Sequence, residues 1–360
     1  MEIPHQNIES ENTHSWLLHF PVMFFAAVMG IGGFTLVVGK ALRVFELSRY
    51  VWIFDALTIL SVALFCGIVL IYLAKIIRHY SAFLQELKHP VRINFFAAIS
   101  VSTLIVLMLS RSLPLGFALG LFYFGAFLQL VFSLYVVRFW FVNEMQQKMA
   151  NPAWFIPIVG NLIVPLAGMS LNLQNQNESL IPLEILIFYF GMGSFFWILL
   201  NAALLIRLVF GENLPQKFLP TLFIFIAPPS VFGLDILVLF EGYARFAPIY
   251  GIVEESVYFG FAYFYGIASA SFSVALFFML LMISLFRVFT KLKFALSWWA
   301  FTFPTSAFTL CALELFVQGG SAFYMYLGFF GVVLNAIIVT IVAWHTFLAM
   351  KRKEICVLEQ

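Results

Sequence analysis

Charge is what this chain has least of: Asp, Glu, Lys and Arg make up only 10% of its 360 residues. A folded surface so poor in charge could not stay in water, so a soluble globular domain is excluded and the solvent must be lipid. Cys66, Cys311 and Cys356 stand far apart with no CxxC spacing, which leaves no basis for a disulfide framework or a zinc site. The six histidines, at positions 5, 14, 19, 79, 89 and 345, form no HExxH, and neither GxSxG nor a P-loop occurs. No enzymatic activity, metal, cofactor or nucleic-acid partner is therefore expected. The first fifteen residues hold no Lys or Arg, unlike the basic start of a secretory signal.

What the chain does have is apolar residues, at 63% of the whole. A helix needs about 20 of them to cross a hydrocarbon core about 30 Å thick. Apolar runs predict ten such helices, beginning with Trp16 to Gly39, Val51 to Ala74, Ile93 to Leu109, Leu113 to Val137 and Ala153 to Leu173. The second five are Leu180 to Ile206, Phe218 to Phe240, Ser256 to Phe286, Phe294 to Leu313 and Ala322 to Phe347. The expected organisation is a tail over 1–15, a membrane domain over 16–347 and a second tail over 348–360. Fourteen Lys and Arg fall on the side of both tails, against Lys40, Arg43, Arg49, Arg111 and Arg245 opposite. The positive-inside rule then places both termini in the cytoplasm of a plasma (bacterial inner) membrane protein.

Prolines divide the spans into two kinds. Beyond the first helical turn they occur only in odd spans, at Pro21, Pro157, Pro165, Pro228, Pro229 and Pro304, whereas Pro114 and Pro182 start even spans. A proline within a span frees carbonyls that hydrocarbon cannot satisfy, so such helices belong beside other protein or a water-filled cavity. The pattern predicts an all-α fold of five helical hairpins and allows two readings: odd helices inside around a conduit with even helices facing lipid, or kinks of the kind common in membrane helices, with no pore. Asp55, Glu184, Asp235, Glu314 and His345 all fall within a turn or two of a span end and read as interfacial side chains. Gly30, Gly32 and Gly33, and Gly116 with Gly120, have the spacing of close helix packing. His89, beside Pro90, reads as a loop or capping residue.

Four segments carry a resemblance: His89-Pro90-Val91-Arg92-Ile93-Asn94-Phe95-Phe96 at span three, Val159-Gly160-Asn161 in span five, Ala227-Pro228-Pro229-Ser230 in span seven, and Trp298-Trp299-Ala300-Phe301-Thr302-Phe303-Pro304 in span nine. In that order, the chain resembles the tellurite-resistance/dicarboxylate transporter family. That family includes bacterial tellurite-resistance proteins, a fungal malate transporter and the slow-type anion channels of plant guard cells. The resemblance implies ten transmembrane helices in a quasi-five-fold arrangement, with odd helices lining a central pore, and a homotrimer with one pore per subunit. It also implies that Phe303, beside the Pro304 kink, blocks the pore as a hydrophobic constriction.

The residues and the resemblance together predict a passive channel for small monovalent anions such as chloride or nitrate. Pro21, Pro157, Pro228, Pro229 and Pro304 are its expected kinks, and Arg92, Lys88 and the other cations from Lys75 onward are expected to gather anions at the inner mouth. The competing expectation is a proton-coupled carrier of malate-like C4-dicarboxylates, with Glu314 as its proton site.

Overall fold

The computed structural model describes residues 16–110, 112–174, 179–246 and 254–356. The tail over 1–15, Arg111 and the last four residues of the C-terminal tail, all used in the sequence expectations, lie outside these. All ten predicted spans are present as helices long and apolar enough to cross a membrane. They are α1 (Val22–Val44), α2 (Ser48–Arg78), α3 (Arg92–Leu109), α4 (Leu115–Val142) and α5 (Pro152–Gln174). The others are α6 (Leu183–Phe210), α7 (Gln216–Arg245), α8 (Gly260–Ser284), α9 (Leu296–Gly319) and α10 (Ala322–Lys351). A short helix over Tyr80–Lys88, which the apolar runs did not signal, lies between α2 and α3.

The odd helices form the interior. They pack α1 on α3, α3 on α5, α5 on α7, α7 on α9 and α9 back on α1, closing a ring, and each even helix packs on the odd helix before it. Every odd span opens with 3-10 turns before continuing as α-helix: Val22–Phe24, Arg92–Phe96, Pro152–Trp154, Gln216–Ile226 and Leu296–Phe301. Pro157, Pro228, Pro229 and Pro304 each sit in the first turn of the α-helical part that follows, while Pro21 directly precedes the 3-10 turn of α1. In the first turn of an α-helix the backbone N–H has no partner one turn back, so proline is tolerated there.

Some polar side chains on even helices reach these inner helices. Gln129 Nε2 and Ser133 Oγ of α4 donate to the Pro157 carbonyl at 2.7 and 2.9 Å, and Ser271 Oγ of α8 donates to that of Pro229 at 2.7 Å. Asn335 Nδ2 of α10 donates to Ser306 Oγ of α9 at 2.7 Å. Hydrocarbon offers polar groups nothing, so these side chains find their partners on the neighbouring helix.

Glycine allows the closest approach within the ring. A Cβ built on Gly30 would lie 2.2 Å from Thr302 Oγ1, so α1 and α9 meet there backbone against side chain. Gly116 and Gly120 bring no helices of the same chain together, because a Cβ at either meets nothing within 4 Å.

Candidate functional site

Two cavities lie inside the ring. The smaller, of about 50 Å³, is bounded by all five odd helices, through Met29, Val101, Val159, Ile224 and Ala300 among others. It sits at the level where the 3-10 turns give way to α-helix, and its wall is apolar apart from Thr221 and Ser297. The larger, of about 940 Å³, extends to the C-terminal ends of the odd helices and carries all the charge: Lys40, Arg43 and Arg245 against Glu241 and Glu314. Phe303 and Ile163 line both cavities, so the Phe303 ring stands where they meet. Gly33 gives it room, since a Cβ there would lie 3.3 Å from Phe303 Cδ2.

Phe303 is the second residue of the α-helical part of α9. The first turns of that helix are fastened by their own hydroxyls, with Thr302 donating to the Trp299 carbonyl at 2.7 Å and Ser306 to that of Thr302 at 3.1 Å. The backbone that carries the ring is therefore held on both sides of Pro304.

In the larger cavity Lys40 Nζ donates to Glu314 Oε2, joining α1 to α9. Gln318 Nε2 donates to the other oxygen of Glu314 at 2.9 Å. Arg245 Nη1 donates to the Leu173 carbonyl at 2.9 Å. A helix carries partial negative charge at its C-terminus, and five C-termini converge here. Lys40, Arg43 and Arg245, in the last turns of α1 and α7, outnumber Glu241 and Glu314 by one and offset part of that negative field.

The other expected residues lie elsewhere. Arg92 and Lys88 are on the face where the odd helices begin, and neither lines either of these two cavities. Lys75, which the sequence placed with them, is buried and donates to Glu86 Oε2 at 2.8 Å and to the Phe20 carbonyl at 2.7 Å. It closes a joint between α2, the short helix and the start of α1, and it is not a mouth cation. His89 caps as expected, its Nδ1 accepting from the N–H groups of Val91 and Arg92 at 3.2 Å.

Asp235 departs from its interfacial placement. It is fully buried in α7, and neither carboxylate oxygen has a hydrogen-bond partner among the described residues. The cause is the length of α7, which runs on to Arg245 and leaves Asp235 well inside the span. Asp55 and Glu184 are exposed as expected.

Sequence reasoning also missed the role of Lys40, Arg43 and Arg245. The signal was available, since these are three of the few cations on the minority side of the charge count, but a count of sides says nothing of which faces the axis.

Comparison with known proteins agrees with this architecture. Residues 19–347 match the family described as SLAC1: Voltage-dependent anion channel. The chain is 29% identical to the S-type anion channel SLAH3 of Arabidopsis thaliana, over 86% of this chain and 46% of that protein. It is also 29% identical to an uncharacterized transporter of Methanocaldococcus jannaschii, over 88% of this chain and 90% of that one. With the malic acid transport protein of Schizosaccharomyces pombe the identity is 27%, over 88% and 76%. The chain spans about half the length of the plant channels it matches. A match over nearly the whole ring of helices leaves one assignment: this chain is a multi-pass membrane protein of the SLAC1 voltage-dependent anion channel family.

Proposed function

We propose that the protein is a passive channel for small monovalent anions, with its pore on the axis of the odd-helix ring and the Phe303 side chain as its gate. The observation that carries this reading is the position of Phe303 between an apolar throat and a wider vestibule that holds the charged side chains. An ion at the ring would lose water and gain no fixed charge, because no charged residue lines the smaller cavity among the described residues. That cavity has room for only a few water molecules. Weakly hydrated ions such as chloride or nitrate lose least in such a throat, and the vestibule cations raise their local concentration. Both termini face the cytoplasm in this reading, the membrane is the plasma membrane, and three copies assemble with one pore each.

Current across a bilayer holding the purified protein, under a chloride-to-nitrate gradient, tests the channel. The reversal potential should follow the anion gradient, and equal conductance of anions and cations would contradict the proposal.

One observation favours a second reading as a proton-coupled dicarboxylate carrier: Glu314 faces the vestibule and is bound to Lys40. Its protonation would free a cation for a carboxylate substrate. Uptake of labelled malate that rises as external pH falls, and is lost in Glu314→Gln, would support the carrier. Uptake that is flat with pH would remove its mechanism.

A further inference from the structure

A third cavity, of about 360 Å³, lies away from the axis, where the α4–α5 connector meets the end of α6. Its walls include Lys148, Arg207, Phe210, Gly211 and Glu212. Arg207, in the last turn of α6, is only 2% exposed. Its Nη1 donates to the Glu212 carbonyl, and its Nε has no partner among the described residues. A guanidinium taken out of water with an N–H unanswered is costly unless an acceptor completes it.

The chain also keeps this space clear. A Cβ on Gly211 would lie 3.3 Å from Arg207 Nη1 and 2.6 Å from the Arg207 carbonyl oxygen. Lys148 adds a second positive charge and Glu212 subtracts one, leaving the site net positive.

The surface beside the cavity belongs to lipid. Phe210, which lines it, is 80% exposed, Phe141 at the end of α4 is 82% exposed, and Val142 and Val209 are exposed with them. Polar Gly211–Glu212 follow at once, so the cavity sits where hydrocarbon gives way to headgroups.

We propose that this cavity binds the phosphate of an anionic membrane lipid, with the Arg207 guanidinium as the principal donor, Lys148 as a second charge and Phe210 against the acyl chain. The guanidinium stays charged however deep it lies, and the N–H groups left over by the Glu212 carbonyl and the enclosed Nε are those that can make a charge-assisted bond to phosphate. A free phosphate ion would use the same donors but would gain nothing from the exposed phenylalanines. The connectors at this site lead straight into the 3-10 turns of α5 and α7, whose Ile156 and Thr221 line the throat. A bound lipid therefore braces two of the five helix starts around the axis.

Native mass spectrometry of the purified full chain in neutral detergent tests the proposal, with phosphatidylglycerol, phosphatidylcholine and inorganic phosphate as probes. Phosphatidylglycerol should bind in preference to phosphatidylcholine, and Arg207→Gln should weaken it by at least about fivefold, the effect of one surface cation on an anionic lipid. Glu212 is exposed, so Glu212→Gln tests the site without disturbing the buried guanidinium and should tighten binding by about fivefold. Unchanged affinity in Glu212→Gln together with Arg207→Gln would overturn the site. Inorganic phosphate binding as tightly as the lipid and displacing it would overturn the lipid assignment.

Discussion

The odd and even helices are built from similarly apolar sequence and end in different surroundings. In the odd spans 67% to 83% of the most apolar window is buried, and in the even spans only 17% to 39%. In water such a difference would be written in hydropathy, because an exposed helix needs a polar face. In lipid the outward face is as apolar as the inward one, so that signal is lost. What distinguishes the inner helices is backbone chemistry: a 3-10 start in each, and prolines at the α-helical starts of α5, α7 and α9, where α4 and α8 donate hydrogen bonds to the Pro157 and Pro229 carbonyls.

This contrast can be broken most severely at glycine. Gly30→Leu on α1 would drive atoms into Thr302 and Trp299, and the folded protein should be lost, as read by yield and a monodisperse elution profile. Gly116→Leu on α4 meets open space and should stay within about 0.5 kcal/mol of the parent in thermal unfolding. Equal outcomes would mean that the two helix classes are not distinct environments.

A smaller effect is expected at the proline carbonyls. Gln129→Leu removes a donor to Pro157 and the partner of Ser100 and should cost about 1 to 3 kcal/mol, the usual consequence of unsatisfied buried polar groups. Ser273→Ala on α8, whose hydroxyl bonds only within its own exposed helix face, should change stability by less than about 0.5 kcal/mol.

Smaller again, and visible in transport alone, is the vestibule charge. Lys40→Gln should reduce anion current a few-fold at low salt, and the deficit should shrink as salt screens the vestibule. Arg138→Gln, at an exposed position near the end of α4, should leave the current unchanged. A salt-independent deficit at Lys40 would point to damage from the unpaired Glu314 and not to lost attraction.

Much of this arrangement was legible in the sequence. The apolar runs located all ten spans, and the prolines marked four of the five inner helices without any relative to compare. The 3-10 starts were not legible, because α3 has one without a proline inside it. Asp235 was misplaced because an apolar run does not reveal that α7 extends to Arg245. The pairing of Lys75 with Glu86 joins groups eleven residues apart across a break between two helices, which helical spacing alone does not predict. Phe303 is one of 46 phenylalanines, and composition could not single it out. Only its place in the Trp-Trp-Ala-Phe-Thr-Phe-Pro segment did so, and the meeting of two cavities at its ring is independent support.

The central claim is that one inner phenylalanine controls flow while outer ones do not. Bilayer current under a chloride gradient should be compared for the parent, Phe303→Ala and Phe127→Ala, the last on α4 and 63% exposed. The account predicts a rise of more than about tenfold in Phe303→Ala, equivalent to a barrier lower by about 1.4 kcal/mol, with Phe127→Ala indistinguishable from the parent. Equal currents in all three, in protein shown to be folded and inserted, would contradict it.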